Sequence, residues 1–96
     1  MWAQRARAAA RRLQVGGHFT EARLVFADAS FLHFRHDPHT RWVQSWAPTG
    51  GGFAPELASR IEHFRLSRRR LEIWFDDGSR LEAHLGAFGT RFRVHE

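Results

Sequence analysis

The stretch Leu71-Glu72-Ile73-Trp74-Phe75-Asp76-Asp77-Gly78-Ser79-Arg80-Leu81-Glu82-Ala83 alternates apolar and polar residues on either side of a turn. Period-two alternation marks strands that bury one face. Loop length and alternation must agree, because a slip of one residue moves a strand's whole apolar set to solvent. A two-residue loop at Asp77-Gly78 would set Phe75 against Arg80 and Ile73 against Glu82. A three-residue loop, Asp76-Asp77-Gly78, instead pairs Phe75 with Ser79, Ile73 with Leu81 and Leu71 with Ala83. That loop is a type I turn followed by a bulge, with a left-handed residue at Gly78 that glycine adopts without steric conflict. The same register sets Trp74 across from Arg80, Glu72 from Glu82 and Arg70 from His84 on the opposite face.

The pattern recurs earlier in the chain. Phe26, Asp28, Ser30 and Leu32 fall on Phe75, Asp77, Ser79 and Leu81 at one constant offset, and Thr40-Arg41-Trp42 falls on Thr90-Arg91-Phe92 with one residue inserted. The rule that pairs Ile73 with Leu81 pairs Leu24 with Leu32, and it places Ala29 in the left-handed corner, where a Cβ costs about 1 kcal/mol. Ahead of each hairpin stands a segment of helical periodicity. Trp2, Ala6, Ala9, Ala10 and Leu13 form one stripe between Trp2 and Gln14, with Gly16-Gly17 as a stop signal. A second helix is expected from Pro55, after a loop at 49–52, carrying Leu57, Ile61 and Phe64. Trp2, Ala6, Ala10 and Leu13 lie over Phe53, Leu57, Ile61 and Phe64.

These correspondences predict an α+β fold of two related halves, about 1–48 and 49–96, each a helix followed by three strands. Together they would form a largely antiparallel six-stranded sheet or partly closed barrel, with two helices on its apolar face. Leu24, Phe26, Leu32, Leu71, Ile73, Phe75, Leu81, Leu85 and Phe92 are the expected core. The face taken by Trp42 and Trp46 depends on whether the connection around Pro38 has four residues or five, since the two lengths point Arg41 to Trp46 in opposite senses.

At 96 residues, 43% hydrophobic, with nine Phe and four Trp, the chain has the apolar mass for one folded domain and no room for two. No apolar run is long enough to cross a bilayer, so membrane insertion is not expected. The chain has no cysteine, which excludes disulfides, thiolate metal sites and a cysteine nucleophile. Met1 to Gln14 has four arginines and no acid but lacks both serine enrichment and a secretory apolar segment, so a cytoplasmic location is expected. All fifteen basic residues are arginine, giving a net charge of +5 and a pI near 11.6. Such an excess favours anionic partners, nucleic acid or an acidic membrane surface among them.

Catalytic signals are weak. Asp76 and Asp77 are explained by turn chemistry, and no serine has a nucleophile's context. Gly50 to Gly52 precede a helix without the lysine of a phosphate loop. His33, His36 and His39 straddle a strand end and a proline turn, so they share no helical face for a metal. No cofactor or metal is therefore expected. Arg7, Arg11, Asp28 and Ser30 stand in an order loosely similar to PilZ cyclic-dinucleotide domains, but His33 occupies the place of the closing glycine and both arginines lie in the predicted helix. The order helix, three strands, helix is similar to that of double-stranded RNA-binding domains in layout alone, which does not imply function. Membership of neither family is inferred.

The face opposite the core is the candidate site. Arg70, Trp74, Arg80, Arg91 and Arg93 share it in the second half, and Arg23, Phe31 and Arg35 in the first. Arg91 or Arg93 is expected between Glu72 and Glu82, because like charges directly opposed are destabilising. Arginines tracking phosphates and rings stacking on bases would make this a non-catalytic RNA- or DNA-binding platform. The alternative is a protein-interaction or self-association module, such as a homodimer, since Arg and Trp also anchor protein interfaces.

Overall fold

The computed structural model describes Met1 to Glu96. The chain runs α1 (Trp2–Ala9), β1 (Ala10–Val15), a short 3-10 turn (Gly17–Phe19), β2 (Glu21–Phe26), β3 (Phe31–His36) and β4 (Arg41–Trp46). It continues with α2 (Phe53–Ala58), β5 (Ile61–Ser67), β6 (Arg70–Phe75), β7 (Arg80–Gly86) and β8 (Gly89–His95). The architecture is α+β, with two antiparallel four-stranded sheets ordered β1-β2-β3-β4 and β5-β6-β7-β8. The expected six-stranded sheet or barrel is thus replaced by two separate sheets, with no strand pairing between them.

The additional strands come from residues expected to be helical. Residues 10–14, read as the end of the first helix, belong to β1, and Ile61 and Phe64 belong to β5 rather than to α2. Both strands carry a register shift, between Ala10 and Arg12 in one and between Ile61 and His63 in the other. A bulge inserts one residue into the alternation, so the inward residues Ala10 and Leu13 stand three apart, as do Ile61 and Phe64. Spacing of three imitates one face of a helix. The intrinsic helix preference of the Ala-Arg run yields here to pairing with β2.

The two hairpins follow the predicted register. Leu71 pairs with Ala83, Ile73 with Leu81 and Trp74 with Arg80, and the Phe75 amide donates to the Ser79 carbonyl at 2.9 Å. Leu24 faces Leu32 in the first hairpin. Gly78 and Ala29 take the left-handed corner at φ 84° and 67°. One contiguous core forms from Leu13, Leu24, Phe26, Leu32 and Phe34 of the first sheet with Phe64, Leu66, Leu71, Ile73, Phe75 and Leu81 of the second. Leu85 and Phe92, expected within it, are only partly buried against it.

Each helix belongs to the other half's sheet. α1 packs against β6, β7 and β8, and α2 against β3 and β4. The turns that carry Asp28 and Asp77 make the exchange specific. Asp77 Oδ2 accepts from the Trp2 amide at 2.7 Å and Ser79 Oγ from the Ala3 amide at 3.0 Å. At the first turn, Asp28 Oδ2 accepts from the Phe53 amide at 2.8 Å and Ser30 Oγ from the Ala54 amide at 3.1 Å. Helix starts leave such donors without partners within the helix, and here the partners come from a turn remote in sequence. Pro55 follows as the third residue of α2, where it has no N–H to satisfy. Gly52 lets the chain approach, because a Cβ there would lie 3.0 Å from Asp28 Oδ2 and its φ is 130°.

Candidate nucleic-acid interface

Alternation along four paired strands decides which side chains share each outer face. The connection from β3 to β4 has four residues, 37–40, held by Asp37 Oδ1, which accepts from the His39 and Thr40 amides at 2.8 Å each. Arg35 consequently pairs with Trp42, His33 with Gln44 and Phe31 with Trp46. Both tryptophans face outward, and Val43 turns inward opposite Phe34. The outer face of the first sheet therefore carries Arg12 and Gln14 on β1, Glu21, Arg23 and Val25 on β2, then Phe31, His33 and Arg35 on β3.

Its aromatic residues form two rows across the strands. In one, the Arg23 guanidinium lies 4.3 Å from the Phe31 ring centroid, and Phe31 stacks on Trp46 at 5.2 Å with 20° between planes. Trp46, at the sheet edge, is 49% exposed. In the other row, Trp42 meets His33 edge-on at 5.1 Å, with the Arg35 guanidinium 6.0 Å from its ring. One carboxylate serves this face, Glu21, 3.8 Å from Arg35 and 3.9 Å from His33. Arg12 and Arg23 have no acidic partner and are exposed. Such guanidinium–ring contacts contribute roughly 0.5–1 kcal/mol at exposed sites, enough to orient the rings without hiding them.

The second sheet's outer face holds the other predicted residues in a different state. Trp74 is half-buried between the Arg80 guanidinium, 5.4 Å away, and the His63 ring, 5.1 Å away. Glu72 is buried and pairs with Arg70 at 2.8 Å. Arg80 stands between the two acids, 3.9 Å from Glu72 and 3.5 Å from Glu82. The cation that separates them is thus Arg80, and not Arg91 or Arg93 as expected. Arg80 stands on β7 two residues from Glu82 and one same-face pair along from Glu72, so its guanidinium reaches both carboxylates. His84 and His95 approach Glu82 at 3.4 and 3.3 Å. Burial raises the Glu82 pKa, but the contacts of His95 and His84 and the charge of Arg80 outweigh it and hold the carboxyl below its ordinary range. Arg91 and Arg93 are exposed and unpaired.

The eight predicted residues therefore divide between two outer faces. Arg23, Phe31 and Arg35 share one with Trp42 and Trp46. Arg70, Trp74, Arg80, Arg91 and Arg93 share the other, where Arg70 and Arg80 are committed to glutamates. Sequence reasoning left Trp42 and Trp46 unassigned and placed Arg12 on a helix. A firm loop length at 37–40 would have recovered the tryptophans. His33, His36 and His39 form no group able to hold a metal ion, and no helix is long and apolar enough to cross a membrane. Comparison of the chain with protein-family models, curated proteins and solved structures returns no match.

Proposed function

We propose that the protein binds single-stranded nucleic acid on the outer face of its first sheet. The observation that carries this reading is the Arg23–Phe31–Trp46 row, in which a half-exposed indole is braced by a second ring and flanked by an arginine without a carboxylate partner. A base stacks on Trp46, with Arg23 over the adjoining Phe31 ring, Arg35 beside Trp42 and Arg12 farther across the sheet for the phosphates. Trp42 lies four residues along the same strand, roughly 13 Å away at strand rise, a spacing that suits a short run of unpaired nucleotides better than one isolated base. Flat, supported rings accept any base, so affinity with little sequence preference is expected.

The test is fluorescence anisotropy of labelled single- and double-stranded RNA and DNA at several salt concentrations. Binding should prefer single strands and weaken steeply with salt. Trp46→Ala should cost about 1–3 kcal/mol of binding, and Arg23→Gln should flatten the salt dependence, with both variants still unfolding in one cooperative transition. Equal affinity for wild type and Trp46→Ala would refute the proposal.

Self-association is the second reading, favoured by the position of Trp46 on β4, an edge strand of its sheet. Light scattering across a dilution series separates the two. A dimer that persists on dilution and dissociates in Trp46→Ala would assign this face to a second copy of the chain.

A further inference from the structure

One end of the second sheet brings together two turns with unusual composition. The β5–β6 connection is the pair Arg68-Arg69, closed by Ser67 opposite Arg70, with φ of 41° and 68°. Positive φ at both positions is the pattern of a type I′ turn, which Asn-Gly fills with least strain. The β7–β8 connection is Ala87-Phe88, beyond the facing pair Gly86 and Gly89. Phe88 is fully exposed, at 105%, and stacks on no other ring. The Leu85 amide donates to the Arg69 carbonyl at 2.8 Å, and Arg70, His84 and Arg91 form one row across the strands. The two turns therefore share an end, with Phe88 at the apex, Arg68 and Arg69 set back from it by about 3–7 Å and Arg91 by about 10 Å at strand rise. Arg68, Arg69 and Arg91 are exposed and have no carboxylate partner. At the opposite end of the sheet, by contrast, Asp76 pairs with Arg60 at 3.4 Å and Asp77 accepts from the Trp2 amide.

We infer that this end docks the protein peripherally on an anionic lipid bilayer, with Phe88 at the boundary of headgroups and acyl chains and Arg68, Arg69 and Arg91 against lipid phosphates. An apolar side chain leading, with cations a few ångströms behind, matches the layering of a bilayer surface, where phosphates lie outside the hydrocarbon. Nucleic acid fits less well, because a stacking base needs a ring supported on a flat face, as Trp46 is, rather than one standing free at a tip. The docking is independent of the proposed nucleic-acid face and involves no spanning segment.

Co-sedimentation with phosphatidylcholine vesicles, with and without phosphatidylserine, tests it. Binding should require phosphatidylserine and fall with salt. The double variant Arg68→Asn/Arg69→Gly should bind about thirtyfold more weakly, yet unfold at a higher temperature, because Asn-Gly suits the turn. Phe88→Ser should weaken binding about tenfold, and Trp46→Ala should leave it unchanged. Three outcomes overturn the inference: no binding to phosphatidylserine vesicles, binding unaffected by Phe88→Ser, or binding as strong in the double variant. It is overturned equally if the double variant loses affinity for an oligonucleotide while vesicles are not bound.

Discussion

Ala29 and Gly78 occupy the same corner of their turns, at φ 67° and 84°, yet only Ala29 carries a Cβ there. The left-handed conformation costs an L-residue roughly 1–2 kcal/mol, and glycine returns part of that through the greater freedom of its unfolded chain. Ala29→Gly should therefore stabilise the protein by about 0.5–1 kcal/mol, read as a higher urea midpoint at unchanged slope. A lower midpoint would show that the Ala29 methyl has packing value that outweighs the strain. Among individual residues, the hairpin pairs and the left-handed corners at Ala29 and Gly78 were legible because a turn and its flanking alternation are local. The partner of Arg80 was not, since several cations could reach Glu72 and Glu82 and only side-chain placement chooses between them.

At the level of elements, the Asp-x-Ser turns act at the starts of helices remote from them in sequence. Bonds from the Ser79 hydroxyl, the Trp2 amide and the Ser79 amide hold the Asp77 carboxyl at about 2. The Ser30 hydroxyl and Phe53 amide likewise lower that of Asp28. Both groups are more acidic in the folded chain than the ordinary 3.8. The contribution of Asp77 to stability is thus complete above the unfolded pKa and is lost as pH falls through 4 towards about 2, and that of Asp28 is lost in the same direction. Urea midpoints measured between about pH 5 and pH 2 should fall over that window, and Asp77→Asn should flatten the fall. A profile unchanged in Asp77→Asn would show that other carboxylates carry the acid sensitivity. The helices themselves were only half legible: their starts were close, but bulged strands borrowed their spacing.

On the scale of the whole molecule, neither half buries its apolar face alone. α1 closes the second half's sheet and α2 the first's, the caps run in both directions, and Phe34 meets Phe64 across the core at 5.0 Å. Arg5 binds Glu56 at 3.1 Å and lies over the rings of Trp2 and Phe53, joining the two helices. The two sheets should consequently unfold together. Tryptophan fluorescence, which samples both outer faces, and far-UV circular dichroism should give superimposable urea transitions. Two separated transitions would mean that each sheet is stable by itself and that the helix exchange contributes little.

By itself, the sequence determined the alternation, the turn geometry and the excess of arginine, because each is carried by residues within a few positions of one another. It also placed rings and guanidinium groups together on outward faces, since side-chain direction follows from strand parity alone. Tertiary structure decided the rest. Bulges converted helical spacing into edge strands, and core closure divided the strands between two sheets rather than one. A four-residue loop turned Trp42 and Trp46 to solvent. Burial of Glu72 drew Arg70 and Arg80 into ion pairs on the second face, while Arg12 and Arg23 stayed free on the first. The physical reason is common to all of these: a residue's chemistry is local, but its availability depends on which distant groups compete for it.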